Sequence, residues 1–284
     1  MKFALCNEVL QPLPFARQCA LAAQLGYDGL EVAPFTLADD PTTITDAQAR
    51  EFHRIAEDAG VAISGLHWLL VAPGGLSIAS ADAGVRARTA AVMERLVELC
   101  ALLGGRYLVH GSPKQRAVPA GESIAAARAR AIECFARAAR RAEACGVTYC
   151  IEPLAPRETD FVNTVEEAAA LVDEIGSPAL KTMIDCSAAG LAETLPVDAL
   201  MECWIPTGRI AHVQVNDPNR RGPGQGAMAF APIVATLLRL QAAGHYRGIV
   251  AVEPFEYVPD GPGSAARAIG YLRGLVEALK APPT

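Results

Sequence analysis

Eight short apolar segments recur along the 284-residue chain, and each is followed by a segment with helical periodicity. Continuous apolar runs of this kind are typical of parallel strands that are buried on both faces. Eight strand–helix units favour the α/β class and a single closed (β/α)8 (TIM) barrel, predicted here as one domain over residues 1–284. The predicted strands are KFALCN, DGLEVA, VAISGLHWL, RYLVHG, VTYCIEP, LKTMIDC, IAHVQVN and GIVAVEP.

An open doubly wound sheet is the alternative architecture. That fold usually carries a glycine-rich phosphate loop directly after its first strand. Here the first predicted strand is followed by EVLQPLP, and the chain contains neither GxGxxG nor GxxxxGK[ST]. The closed barrel is therefore the preferred prediction.

Composition and charge restrict the classes of partner. The net charge is -6 and the sequence pI about 5.5, which argues against nucleic-acid binding because nucleic acids select basic surfaces. The sequence has no run of 18 clean apolar residues and no apolar stretch typical of a signal peptide after Met1, so we expect neither a membrane span nor secretion. We therefore expect a cytoplasmic protein whose eight cysteines are reduced thiols.

The last four predicted strands each end in one metal-binding side chain: Glu152, Asp185, Gln214 and Glu253. These residues are 33, 29 and 39 positions apart, about one strand–helix unit each time. A parallel barrel brings the carboxyl ends of its strands to one rim. A single acid there is usually a solvated or helix-capping residue, but four candidate ligands on consecutive strands indicate a metal site.

The chemistry of these four side chains favours a hard cation. Three carboxylates and one amide oxygen suit one Mn²⁺, Mg²⁺ or Co²⁺ ion better than a structural zinc, with Mn²⁺ preferred here. His212 lies two residues before Gln214, so both side chains point to the same side of the strand. His212 is either a partner of the metal or substrate site or a packed histidine, and the sequence leaves both open.

The motifs EPLAPRETDFVNT, MIDCSAAG, HVQVNDPNRRGPGQG and VEPF resemble the xylose-isomerase-like barrel superfamily over essentially the whole chain. Within it they are similar to the ketose 3-epimerases and the hydroxypyruvate-isomerase-like enzymes. The resemblance implies that the four strand-end residues bind the metal and that Glu158 and Arg220 hold substrate oxygens. Gln214 as third ligand is closer to the hydroxypyruvate-isomerase-like group, whereas PRETDFVNT is closer to the epimerases.

One position departs from the family pattern. Three residues after the strand-6 Asp the family commonly has a histidine that contacts the substrate carbonyl, and here that residue is Ala188. His67 and His110, on predicted strands 3 and 4, are candidate replacements, and each is also a plausible core histidine. Trp68 is a candidate for stacking on a sugar, with aromatic packing as the alternative.

These residues predict a divalent-metal-dependent isomerase or epimerase that moves a proton alpha to a carbonyl through a metal-stabilised enediolate. Glu152 and Glu253 are the expected catalytic acid and base, one on each side of the reacting carbon of an unphosphorylated keto-sugar. That arrangement would give 3-epimerisation. A single base moving the proton between C1 and C2 would instead give an aldose–ketose isomerase of the hydroxypyruvate or 2-oxo-tetronate type.

Three further readings stay open at this point. Expulsion of a β leaving group would make the protein a lyase or dehydratase, such as the barrel subunit of a C-glycoside-cleaving enzyme. Loss of activity would leave a sugar-binding barrel. A phosphate-directed nuclease of the superfamily is disfavoured because such enzymes use many histidines and this chain has five. The resemblance also implies a homodimer or homotetramer.

Overall fold

The structure, a computed structural model, describes residues 1–280, so the last four residues of the predicted domain lie outside the described part. All eight predicted strands are present and pair in parallel, in chain order, to close a barrel between the eighth and the first. This confirms the (β/α)8 prediction. The strands are β1 Phe3–Cys6, β2 Gly29–Val32, β3 Ala62–Leu66, β4 Tyr107–His110, β5 Thr148–Ile151, β6 Leu180–Asp185, β7 Ile210–Val215 and β8 Val250–Val252.

Helices cover the outside of the barrel. Two of them are additional to the one helix per strand that a simple (β/α)8 barrel contains. The connection after β4 contains a short helix before the long one, and the connection after β6 contains two helices where the sequence predicted one. The helices are α1 Phe15–Leu25, α2 Asp46–Asp58, α3 Ala83–Leu102, α4 Pro113–Arg116, α5 Ile124–Cys145, α6 Val165–Ile175, α7 Cys186–Ala192, α8 Val197–Trp204, α9 Phe230–Ala242 and α10 Gly261–Lys280.

The helix boundaries follow from local capping chemistry. Thr45 and Thr164 open α2 and α6 with reciprocal capping boxes, in which the threonine and the third helical residue satisfy each other's backbone N–H groups. Gly146 closes α5 with a φ of 69°, a left-handed conformation that glycine adopts without steric cost. These signals fix where α2 and α6 begin and where α5 ends, shortly before β5.

The main apolar core lies between the barrel and the helices, where residues of all eight strands pack against the helical faces. A second, small apolar cluster is formed by Tyr107, Val109, Cys150 and Met183 of β4, β5 and β6. The barrel interior is otherwise rich in buried polar side chains near the carboxyl ends of the strands. Because unpaired buried polar groups cost free energy, these side chains must satisfy one another or a ligand.

Across residues 1–280, no helix combines the length and apolarity that a membrane span requires. All eight cysteines lie in the described part of the chain as free thiols, and six are buried. The prediction of a cytoplasmic location stays a prediction.

Substitution of Gly65 by Ala should destabilise the barrel. A Cβ on Gly65 of β3 would lie 2.5 Å from the carbonyl oxygen of Tyr107 and 2.6 Å from its ring, on the neighbouring strand. Relief of that overlap costs about 1–3 kcal/mol, so we expect a lower melting temperature in thermal unfolding.

Gly270→Ala is the matched control, because a Cβ on this exposed α10 residue has no neighbour within 4 Å. Alanine is favoured over glycine in a helix by about 0.8–1 kcal/mol, so this variant should melt at or above the wild-type temperature. Equal melting temperatures for the two variants would contradict the close packing at Gly65.

Candidate active site and its carboxylate cluster

Glu152, Asp185 and Glu253 meet at the rim formed by the carboxyl ends of the strands. Asp185 ends β6, and the two glutamates directly follow β5 and β8. One carboxylate oxygen of each lies within 4.8 Å of the others, and all three side chains are at least 94% buried, with exposures of 6%, 4% and 1%. The three acids expected at strand ends thus form one cluster, which we call the carboxylate cluster.

Hydrogen bonds fix the orientation of Asp185. Its Oδ1 accepts the backbone N–H of Ala188 at 2.7 Å, which makes Asp185 the N-cap of α7. Its Oδ2 accepts from Nδ2 of Asn216 at 2.7 Å. The same Asn216 amide donates to the backbone carbonyl of Glu253 at 3.2 Å, so it ties the ends of β6 and β8 together.

Glu152 fits against the chain because Gly111, the residue directly after β4, lacks a side chain. A Cβ on Gly111 would lie 2.2 Å from Oε2 of Glu152. The buried guanidinium of Arg116 donates to the backbone carbonyls of Glu152, at 2.6 Å, and Val162, at 3.2 Å. Arg116 therefore holds the end of β5 and the loop after it in place.

Glu253 is held from inside the barrel by His67. Nδ1 of His67 lies 2.9 Å from Oε1 of Glu253, and Nε2 lies 2.9 Å from Oε2 of Glu8. The imidazole is fully buried and both its nitrogens are occupied. The structure thus places His67 behind a cluster residue, where it orients Glu253.

Gln214 is held by a carboxylate on the opposite side of the barrel. Its Nε2 donates to Oε1 of Glu31, on β2, at 2.6 Å. Oε2 of Glu31 accepts from the Tyr107 hydroxyl at 2.5 Å and lies 2.8 Å from Nε2 of His212. His212 also stacks on Tyr107, with ring centroids 4.0 Å apart. His212 therefore belongs to the barrel interior beneath the cluster and packs beside Glu31.

The carboxylate cluster has too little positive charge around it, so burial and mutual repulsion raise the pKa values of its members. Burial, followed by the charges of Glu253 and Asp185, raises the pKa of Glu152 well above its ordinary value. Burial raises the pKa of Glu253 to about 8 and that of Asp185 to about 7, although hydrogen bonds from His67 and from the Ala188 N–H oppose the respective shifts. A cation among these groups would relieve the repulsion.

The pKa values of His67 and Glu31 shift in the directions that favour their charged forms, unlike those of the carboxylate cluster. Burial alone would lower the pKa of His67, but the carboxylates of Glu8, Glu253 and Glu31 outweigh it and raise that pKa well above the ordinary value. Burial alone would raise the pKa of Glu31, but His212, His67 and Tyr107 lower it to about 2. The interior beneath the cluster is therefore a network of paired charges.

The residues of the cluster fit a divalent cation. Oε1 of Gln214 and Oε2 of Glu253 are buried and have no hydrogen-bond partner. Buried polar atoms in proteins are nearly always paired. Glu253 belongs to the cluster and Gln214 pairs with Asp185 on the neighbouring strand, so a bound ion is what these two oxygens lack. All four donors are oxygens, the set that Mg²⁺ and Mn²⁺ prefer.

A narrow cleft opens on the cluster from the rim. The cleft is lined by Glu152, Leu154, Arg157, Glu158, Asp185, Ser187, Ala188, Arg220 and Phe255. The two residues expected to hold substrate oxygens, Glu158 and Arg220, therefore face the same space as the cluster. Ala188 also lines the cleft, and its small methyl group leaves open the space that a larger side chain at this position would fill.

Arg220 is held in a left-handed backbone conformation, with φ of 71°. Its carbonyl accepts the N–H groups of Phe255 and Glu256, each at 2.8 Å, and its guanidinium lies 5.0 Å above the Phe255 ring. A non-glycine residue in this conformation costs free energy and persists only where the surroundings impose it. The loop after β7 is thus locked to the loop after β8 with its arginine at the cleft.

Trp68 stands at the edge of the cleft rather than in its lining. Its ring stacks on Phe255, with centroids 5.9 Å apart at an angle of 25°, and lies 6.0 Å from the ring of Phe35. Trp68 therefore packs against a residue of the cleft lining. Its role in stacking on a sugar stays a prediction.

His110 is not brought into the cluster. Its Nδ1 lies 2.7 Å from the Tyr149 hydroxyl, and its ring packs edge-on against Phe135 of α5. Burial and the nearby Arg116 lower its pKa to about 3, so the ring is neutral. His110 occupies the layer between the barrel and α5.

Four residues around the site have no role in the sequence analysis: Glu8, Arg116, Asn216 and Phe255. Glu31 was expected only as part of a pocket wall, not as a partner of Gln214. Glu31 carried a visible signal, because an acid inside the apolar strand segment DGLEVA must be paired if the strand is buried. Arg116 and Asn216 act through the contacts described above, which connect segments distant in sequence. No spacing in the chain indicates such contacts.

A family model described as "Xylose isomerase-like TIM barrel" matches residues 19–275 of the chain. The protein therefore belongs to the xylose isomerase-like TIM barrel family. The resemblance found in the motifs of strands 5 to 8 is thereby confirmed.

Curated relatives and a solved structure are similar to the chain. A D-psicose 3-epimerase of Enterocloster bolteae is 34% identical over 128 residues, which cover 45% of this chain and 40% of that protein. A D-psicose 3-epimerase of Agrobacterium fabrum is 30% identical over 241 residues, 82% of this chain and 76% of that protein. A crystal structure of D-psicose 3-epimerase in the presence of D-fructose covers 97% of this chain and 99% of its own, with a TM-score of 0.79 at 22% identity, and shows the shared fold.

Chelator-treated protein should lose stability as the pH rises from about 5 to 8. The folded-state pKa values of Asp185 and Glu253, about 7 and about 8, lie above the ordinary values of 3.8 and 4.5. In that window the folded chain binds more protons than the unfolded chain, so stability falls with increasing pH. Melting temperatures measured in EDTA across this range test the expectation.

Two sets of comparisons, with carboxyl variants and with added Mn²⁺, control the measurement of melting temperature against pH. Asp185→Asn and Glu253→Gln remove one titrating carboxyl each and should flatten the slope of melting temperature against pH. Added Mn²⁺ should stabilise the wild-type protein more at pH 8 than at pH 5.5, because the ion then meets ionised carboxylates. A melting temperature that rises with pH in EDTA would contradict the crowding of the cluster.

Proposed function

We propose that the protein is a divalent-metal-dependent sugar epimerase of the ketose 3-epimerase type, which moves a proton alpha to the carbonyl of an unphosphorylated keto-sugar. The observation that carries this proposal is the pair Glu152 and Glu253, two buried carboxylates of one cluster with raised pKa values, beside a cleft lined by Glu158 and Arg220. The names of the D-psicose 3-epimerases among its relatives support an enzyme of the isomerase class.

Glu152, Asp185, Gln214 and Glu253 would hold the ion, for which we propose Mn²⁺, with Mg²⁺ and Co²⁺ as alternatives. The orphaned oxygens of Gln214 and Glu253 and the uncompensated negative charge of the three acids support this set. When bound, the cation would act as a Lewis acid that makes the carbon next to the carbonyl more acidic and binds the substrate in a fixed orientation.

The two glutamates carry out the proton transfers. One carboxylate takes the proton from C3, and the other, protonated, gives a proton to the opposite face of the same carbon, which inverts it. Burial raises the pKa of both carboxyls, that of Glu253 to about 8, and a side chain with a pKa near the working pH can act as acid or base. His67 keeps Oε1 of Glu253 occupied and leaves Oε2 as the free oxygen.

Glu158 and Arg220 would position the substrate. Glu158 is partly fixed by the backbone N–H of Ala155, which donates to Oε2 at 3.1 Å. Arg220 supplies fixed N–H donors for hydroxyl or carbonyl oxygens, because its backbone and its ring contact with Phe255 are both defined. Holding the reacting carbon between two carboxylates is the main source of rate in such a site.

Deuterium incorporation tests the chemistry directly. Protein reconstituted with Mn²⁺ should incorporate deuterium from D₂O at C3 of ketoses such as D-psicose, followed by NMR. Glu253→Gln and Glu152→Gln, studied with the ion shown to be bound, should slow exchange by about 10²–10⁴-fold because each loses a general acid–base group.

Glu277→Gln, on the exposed face of α10, is the matched control and should exchange at the wild-type rate. Wild-type exchange in both cluster variants would contradict the assigned roles. Deuterium at C1 or C2 alone would favour aldose–ketose isomerisation, and an unsaturated product would favour elimination chemistry, the lyase alternative.

Arg220→Lys should raise the KM for a ketose by at least about tenfold with a smaller change in kcat. A lysine provides neither a planar fork of donors nor the flat surface that packs on Phe255. Arg221→Lys is the control, since Arg221 is a comparably exposed neighbour near Glu256 that does not line the cleft. Equal KM changes in the two variants, measured by steady-state kinetics, would exclude a substrate contact for Arg220.

We propose a cytoplasmic homo-oligomer, a dimer or tetramer, without nucleic-acid or membrane partners. The net charge of -6 supports the exclusion of nucleic acid, because a net negative protein is repelled by the phosphate backbone.

A further inference from the structure

The side-chain amide of Gln214 has a defined orientation in this barrel. Its Nε2 donates to Oε1 of Glu31 at 2.6 Å, and its Oε1 is buried without a partner. An ionised carboxylate only accepts hydrogen bonds, so the amide must turn its nitrogen toward Glu31. The oxygen is then directed away from Glu31 and stays free.

Glu31 is itself fixed by contacts on its other oxygen. Oε2 accepts from the Tyr107 hydroxyl at 2.5 Å and lies 2.8 Å from Nε2 of His212. Oε1 additionally lies 3.6 Å from the sulfur of Cys6. The residue is fully buried and does not line the cleft, so it has no route to substrate.

A backbone irregularity accompanies this placement. The pairing between β2 and β3 shifts by one residue at Glu31, which leaves Ser64 without a partner on the ladder. Ser64 Oγ lies 3.0 Å from the Tyr107 hydroxyl that holds Glu31. Bulges of this kind re-aim neighbouring side chains and are common beside active sites.

We propose that Glu31 is a positioning residue that selects the oxygen of Gln214, rather than its nitrogen, as the atom presented to the metal centre. The inference rests on the proposed function, because it needs a cation held by the carboxylate cluster and Gln214. An amide nitrogen cannot donate an electron pair to a cation. With Gln at position 31, whose amide can donate as well as accept, the Gln214 amide can take either a ligating or a flipped, non-ligating orientation.

Mn²⁺ affinity of the chelator-treated, full-length protein tests the proposal without using activity. Outer groups that orient a ligand typically contribute 10–100-fold to metal affinity. We expect Glu31→Gln to weaken the Kd for Mn²⁺, measured by electron paramagnetic resonance of the free ion, by about 10–100-fold. Glu277→Gln makes the same change of side chain on the exposed face of α10, away from the centre, and we expect it to leave the Kd within about threefold, less than half a logarithmic unit of affinity.

Two double variants separate positioning from a general structural effect. In the Gln214→Ala background, Glu31→Gln should change the Kd no further, because the two residues act as one unit. The exchanged pair Glu31→Gln with Gln214→Glu keeps the net charge and the shape of the contact, and either oxygen of a carboxylate can ligate. This exchanged variant should recover most of the lost affinity.

The outcomes distinguish the two hypotheses. A wild-type protein that binds no Mn²⁺ would overturn the metal centre in the proposed function and with it this inference. Wild-type binding with an unchanged Kd in Glu31→Gln, or an undiminished effect of Glu31→Gln in the Gln214→Ala background, would overturn the inference alone. If Glu31→Gln does not fold, the exchanged pair decides: wild-type-like affinity supports the positioning role, and a loss as large as in Gln214→Ala overturns it.

Discussion

The burial of three carboxylates at one end of the barrel is the constraint on which the rest of the structure depends. Glu152, Asp185 and Glu253 lie within 4.8 Å of one another and are nearly excluded from water. Such a group is costly unless positive charge or hydrogen bonds compensate it. The chain supplies partial compensation: Asn216 and the Ala188 N–H bind Asp185, His67 binds Glu253, and Arg116 holds the β5 end beside Glu152. The remaining deficit is what makes the cluster suited to a divalent cation.

The same arrangement separates the site into a fixed floor and a substrate-facing rim. The floor is the buried network of Glu8, Glu31, His67 and His212, in which each acid faces a ring nitrogen. At the rim, the loop residue Arg220 is held by two backbone hydrogen bonds and by Phe255. Groups that are fixed in advance in this way are the condition for effective positioning in catalysis.

Much of the fold and part of the site were predictable from sequence. The strand count, the closed parallel barrel and the strand-end acids all followed from local patterns: apolar runs, helical periodicity and residue type at strand exits. The second helix after β6 was missed because Asp185 serves both as strand-end acid and as N-cap of α7, so the helix starts with no separating loop. His67, His110, His212 and Trp68 all had open alternatives, because a histidine or tryptophan near a strand end gives no sign of the direction in which it points.

By itself, the sequence determined the periodicity of eight strand–helix units and the type of residue at each strand end. These properties depend on residues only a few positions apart, so they can be read from the sequence directly. Only the tertiary structure decided which of those side chains meet. Glu31 reaches Gln214 across 183 positions and His67 reaches Glu253 across 186, and both contacts exist only because the barrel closes. Closure of the barrel brings opposite strands within the length of two side chains. No local sequence pattern encodes this distance, and it sets the orientation of the groups around the candidate metal centre.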